Sequence, residues 1–104
     1  MLKTMYVPSK AVLDKYADVL VNFALNSGKG VKPGEVVMCI ADDDAKPFLF
    51  ALHKKILEAG GHPLLRMIPT GIERTFYEAA NDKQLTFFAR DYIKAQCDLI
   101  DHQI

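Results

Sequence analysis

Three consecutive aspartates, Asp42, Asp43 and Asp44, form the densest group of chemically capable side chains in the sequence. Carboxylate oxygens grouped this way suit a hard cation such as magnesium or calcium, and they repel a phosphate. The stretch Ala41 to Ala45 holds no glycine, so the glycine-rich backbone cradle of a nucleotide site is missing as well. One aspartate capping a helix, with two solvated neighbours favoured by the helix dipole, accounts for the cluster without any ligand. That structural reading is preferred. His53, His62 and His102 fall on a helix, a turn and the terminal strand, with no HExxH motif and no His pair at helical spacing. His53 faces solvent if Leu52 and Ile56 face the core, which argues against a buried general base. Ser9 and Ser27 are the only serines, and neither lies in a GxSxG elbow. Cys39 and Cys97 match no metal or redox spacing and read as two small core residues. No residue is therefore assigned a catalytic, cofactor-binding or metal-binding role.

The elements that carry these residues are legible from the apolar spacing. From Ser9 to Asn26, Leu13, Tyr16, Ala17, Leu20 and Ala24 follow one helix face, with Ser9 as N-cap, Gly28 as stop, and Asp14 with Asp18 opposite. Val12, Val19 and Phe23 form a second stripe, so both sides of this helix are expected to be covered. After a turn at Val31 to Gly34, the run Val36 to Ile40 reads as a buried parallel strand. Asp44 is the expected cap of the next helix, whose core face is Phe48, Leu49, Leu52, Ile56 and Leu57 and which Gly60 and Gly61 end. Pro63 to Ile68 is the second strand of a right-handed βαβ crossover. Thr70 with Glu73 and Asn81 with Gln84 have capping-box spacing before two short helices. Asp91 to Gln96 reads as further helix, and Leu99 to Ile104 as a third strand. The expected architecture is a three-layer Rossmann-like half domain: a parallel sheet of about three strands in the order 2-1-3, with flanking helices.

The chain has 104 residues, 13 basic and 13 acidic side chains, and 50% hydrophobic residues. That composition excludes disorder and collagen-like structure, and the length leaves room for one modest core. Zero net charge with scattered basic residues removes the footprint of a nucleic-acid or anionic-membrane partner. No apolar run approaches the roughly 20 residues that span a bilayer. Met1 to Met5 lead quickly into polar residues, without the pattern of a signal peptide, so a cytoplasmic chain is expected.

Residues Leu13 to Asn22, then Val31, Lys32, Pro33 and Gly34 before a strand, then Ala45 to Phe48 and Glu58 to Pro63, resemble in their order and spacing the opening of a known family. It is that of the thermophilic metalloaminopeptidases, of the aminopeptidase T and aminopeptidase S, leucyl aminopeptidase-like type. The resemblance covers residues 13–68 well and 82–104 loosely. It implies a cytoplasmic, dimeric exopeptidase acting on peptide substrates, in which two divalent ions, zinc, cobalt or similar, activate a water. The family's ligands are glutamates, histidines, an aspartate and a tyrosine from its C-terminal part, and no position here matches their motifs. Residues 1–104 are then expected to be a single N-terminal α/β domain, truncated from a longer chain, that binds no metal itself. Its uncovered surface is expected to self-associate, through the edge near Leu99 to Ile104 or through Val12, Val19 and Phe23. An alternative is a small α/β binding or dimerisation module, including a receiver domain suggested by Asp98, Leu99, Ile100 and Asp101. Against a receiver, Gln103 stands where its phosphoacceptor aspartate belongs.

Overall fold

Ser9 opens the first helix as its spacing predicts: its hydroxyl accepts the Val12 N–H at 3.3 Å. The computed structural model describes residues 9–104, so Met1 to Met5, on which the reading of the N-terminus rests, lie outside the described residues. Helix α1 spans Lys10–Val19 and runs into a wide π-type turn at Leu20–Ala24 and a 3-10 turn at Asn26–Gly28. One continuous helix to Asn26 is therefore not formed. The Val21 carbonyl takes the N–H of Val31 at 2.8 Å and the Leu25 carbonyl that of Gly30 at 2.9 Å. Long-range partners thus replace the bonds that would have continued the helix, and Leu25 turns extended.

The buried face of this segment is Ala17 and Val21, flanked by the half-buried Leu13, Leu20 and Leu25. Ala24, expected on that face, is exposed because the wide turn shifts the stripe onto Val21, and Tyr16, also expected there, is exposed on α1 itself. Of the second stripe, Val12 is half-buried while Val19 and Phe23 remain exposed.

Strand β1, Val36–Asp42, is the central strand of a parallel sheet in the order β2-β1-β3. It pairs from Val36 to Asp42 with His62 to Ile68 of β2 (His62–Ile68), and through Val37 and Met38 with β3 (His102–Gln103). The α/β class, the parallel sheet and the strand order all stand as expected. Helix α2, Lys46–Glu58, links β1 to β2 and carries Pro47 in its first turn, where the missing N–H costs nothing. Its Leu49, Ala51, Leu52 and Ile56 pack with Ala17, Val21, Val31, Val37 and Cys39 to form the core. Leu57, expected in that face, is exposed.

Asp44 does not cap α2. A short 3-10 turn, Asp43–Ala45, precedes the helix, and the cap position is Ala45 with no side-chain bond.

Beyond β2 come α3 (Ile72–Ala79), α4 (Asp82–Leu85) and α5 (Arg90–Leu99). The box of Asn81 and Gln84 forms, with reciprocal bonds of 2.9 and 3.0 Å. That of Thr70 and Glu73 does not: Gly71 takes the cap position at φ 91, and Thr70 is drawn to Asp43 instead. Nor is Leu99 to Ile104 one strand. Leu99 closes α5 and the Ile100 N–H still bonds back to the Gln96 carbonyl at 2.9 Å; the chain joins β1 only from Asp101, whose N–H donates to the Val36 carbonyl at 2.9 Å, through the His102–Gln103 ladder, to Ile104, which exchanges bonds with Met38 and Ile40 at 2.8 and 3.0 Å. Cys97, read as a core residue, is exposed on α5, whereas Cys39 is buried.

The three C-terminal helices bury no side chain fully, and Phe76, Tyr77, Phe87, Phe88 and Tyr92 are exposed. A radius of gyration of 16.5 Å, against about 13 Å for an ordinary domain of this length, reflects how loosely they extend from the sheet.

Candidate functional site

In an open α/β sheet the carboxyl ends of the strands are where loops converge on a ligand. Here β1 ends at Asp42 and β2 at Ile68, side by side in the ladder, so the acidic loop and the Pro69 to Gly71 loop meet. A cavity of about 320 Å³ between them is lined by Asp42, Ile68, Thr70, Glu73 and Arg74 among others. The Asp43 carboxylate accepts both the Thr70 hydroxyl and, at 3.0 Å, the Thr70 N–H. A longer contact of 3.4 Å joins the same hydroxyl to Asp44. The Thr70 hydroxyl above all, then its N–H, hold the Asp43 carboxyl below its ordinary range. Arg74 extends toward Glu78, with Nε at 3.2 Å. The acidic cluster thus spends its middle carboxylate on tying two loops together. Among the described residues, no three His, Cys, Asp or Glu side chains come close enough to share a metal ion.

The other candidates disperse. His53 is half-buried on α2, beside Phe50, where the solvent-facing position expected of it is only partly realised. His62 is the first residue of β2 rather than part of a turn. Ser9 and Ser27 sit at the ends of the first helical segment. Burial lifts the Cys39 thiol to about 11, which keeps it protonated and unreactive. Of the receiver-like residues, Asp98 pairs with Lys94 at 2.9 Å and Asp101 accepts the Val36 N–H at 2.8 Å.

His102 belongs to a cluster at the opposite, amino end of the sheet that sequence reasoning missed. Its Nε2 lies 3.1 Å from a Glu35 carboxylate oxygen that also accepts the Lys32 N–H at 2.7 Å and the Asn26 amide at 2.9 Å. The Asn26 amide donates as well to the Gly30 carbonyl at 2.7 Å. The Lys32 N–H chiefly, then the Asn26 amide and the His102 imidazole, hold the Glu35 carboxyl down at about 2 against the cost of its partial burial. This knot clips β3 to the loop that enters β1. Sequence spacing held no signal for it, because Glu35 and His102 belong to no common motif. Neither cluster contains an activated nucleophile, and in each one carboxylate, Asp43 or Glu35, joins separate segments.

A search of curated proteins returned no match. A family model described as thermophilic metalloprotease (M29) matches residues 9–103, which includes every element described above. By that match, the chain belongs to the M29 thermophilic metalloprotease family.

Proposed function

We propose that this chain is the N-terminal scaffold part of a cytoplasmic, metal-dependent aminopeptidase that releases N-terminal residues from peptides. The catalytic metal ligands, in this reading, come from a part of the protein that follows residue 104. The single observation that carries it is the match of the metalloprotease family over residues 9–103. Hydrolysis on a pair of metal ions needs several donors converging about 2 Å from each ion. The residues present do not fit such a group: His53, His62 and His102 stand on α2, β2 and β3, and Asp43 is committed to Thr70. No step of the chemistry is therefore assigned to them. Their part is a sheet that presents two tied loops at its carboxyl end and extends exposed apolar helices beyond it.

Two assays test the reading. The 104-residue chain, supplied with zinc, cobalt, manganese or magnesium, is expected to leave aminoacyl-anilides intact. A chimera in which it replaces the corresponding segment of an active M29 peptidase is expected to release single N-terminal residues in a metal-dependent way. Turnover by the isolated chain that survives repurification and is abolished at Asp42 or Asp43 would overturn the scaffold role. Release of internal fragments by the chimera would overturn the exopeptidase assignment.

A further inference from the structure

The face of the sheet that turns away from α2 carries one charge in an apolar row. Val37 and Cys39 of β1 pack into the core beneath α2, so alternation turns Met38 and Ile40 to the opposite face. The register sets Leu64 beside Met38 and Arg66 beside Ile40 on one flank, and Gln103 beside Met38 on the other. Between this face and α5 lies a cleft of about 420 Å³ whose lining includes Met38, Ile40, Arg66, Ile93 and Ile100. Met38, on its floor, is only 8% exposed. Arg66 takes part in none of the ion pairs formed among the described residues. Asp101 also lines the cleft, but it lies level with Val36 on the far flank of β1, with its Cα roughly 16 Å from that of Arg66 by strand rise and spacing. Its Oδ2 is held there by the Val36 N–H at 2.8 Å. The cation and the carboxylate therefore stand at opposite ends, with apolar side chains between them.

We propose that this cleft binds a small aliphatic monocarboxylate, its carboxylate on the Arg66 guanidinium and its chain along Met38, Ile40, Ile93 and Ile100. The inference does not depend on the peptidase reading. A guanidinium presents a fork of donors that fits a carboxylate in two parallel bonds. A lone cation beside an apolar floor selects a ligand that is anionic at one end and apolar over the rest. A peptide suits the floor less well. The Met38 carbonyl and the Ile40 N–H are already bonded to Ile104, so a peptide lying over them would meet side chains alone and leave its amide groups unpaired. A second carboxylate is disfavoured too, because it would approach the charge of Asp101 at the far end.

The test titrates the isotope-labelled 104-residue chain with octanoate, octanol, suberate and N-acetyl-dileucine and follows the backbone amide shifts. Octanoate is expected to saturate, with its shifts centred on β1, Arg66 and α5. Affinity is expected to rise about two- to fourfold per methylene from hexanoate to octanoate, as burial of the chain requires. Arg66→Gln should weaken octanoate about tenfold or more, the loss of a hydrogen-bonded charge, and leave octanol unchanged, while Arg66→Lys should keep part of the affinity. Suberate, with the same number of carbons and a second carboxylate, should bind more weakly than octanoate. Cys97 is exposed in the lining of the same cleft, so octanoate should slow its reaction with a thiol reagent in the parent chain and not in Arg66→Gln. Binding indifferent to Arg66→Gln, shifts centred on the groove beside Phe50, or no saturation by octanoate would overturn the proposal. Tighter binding of N-acetyl-dileucine than of octanoate would overturn the aliphatic assignment and give the cleft to peptide carboxyl termini.

Discussion

Gly30 is the position where one methyl group should do the most local damage. It sits at φ 80, and an alanine Cβ there would lie 2.5 Å from the Asn22 carbonyl oxygen and 2.7 Å from the Asn22 Cα. Both atoms are backbone of the wide turn that brings Val21 into the core, so neither yields cheaply. Left-handed backbone costs a residue with a Cβ about 1–2 kcal/mol. Forcing a side chain into filled space adds about 1–3 kcal/mol. Gly30→Ala should thus destabilise by roughly 2–5 kcal/mol, a large share of the roughly 5–15 kcal/mol that holds a small domain together. Gly34 supplies the control: it has φ 88, and nothing lies within 4 Å of its added Cβ. Gly34→Ala should cost the backbone penalty alone, about 1–2 kcal/mol. In urea melts followed by circular dichroism, a mid-range slope of about 2 kcal/mol per molar puts the Gly30→Ala midpoint roughly 1–2.5 M below the parent. The Gly34→Ala midpoint should fall by half of that or less. Equal shifts for the two variants would refute the argument that the close approach to Asn22, and not the backbone angle, makes glycine necessary at position 30.

Glu35 should give the protein an acid-sensitive stability. Its carboxyl is held at about 2 in the folded chain against an ordinary 4.5, so between those values the unfolded state binds more protons and stability rises with pH. The contribution is complete above about 4.5 and is lost as pH falls toward about 2; urea midpoints measured across that range should fall, and fall less for Glu35→Gln. Ile56→Ala removes a fully buried side chain and should cost about 2–5 kcal/mol, whereas Leu57→Ala, half exposed one position on, should stay within about 0.5 kcal/mol in the same urea melts. A thiol reagent should label Cys97 at once and Cys39 only in denaturant, because one is exposed and the other buried with its thiol raised to about 11; rapid labelling of both would show that the core is not closed over Cys39.

Much of this molecule could be read without coordinates because the information is local. The β-branched run from Val36, the periodic Leu49, Leu52 and Ile56, and the paired Asn81 and Gln84 each declare an element within a few residues. The handedness of the βαβ crossover then leaves few strand orders, and β2-β1-β3 is the one adopted. What the local pattern could not reach were the places where a partner from elsewhere outbids the neighbour. The first helical segment ends at Ala24, short of Asn26, where N–H groups of Gly30 and Val31 claim the carbonyls of Leu25 and Val21. Thr70 abandons its capping box for Asp43. Leu99 stays helical while Asp101 and His102 are captured by Val36 and Glu35. In each case the short-range preference is worth about a kilocalorie per mole, no more than a single hydrogen bond. The sequence alone therefore determined the strands, the main helix and their order, through periodicity and chain handedness. Tertiary structure decided the ends of the elements and the use of every polar side chain at the two sheet ends, because there competing bonds of equal strength are settled only by which groups the fold brings together.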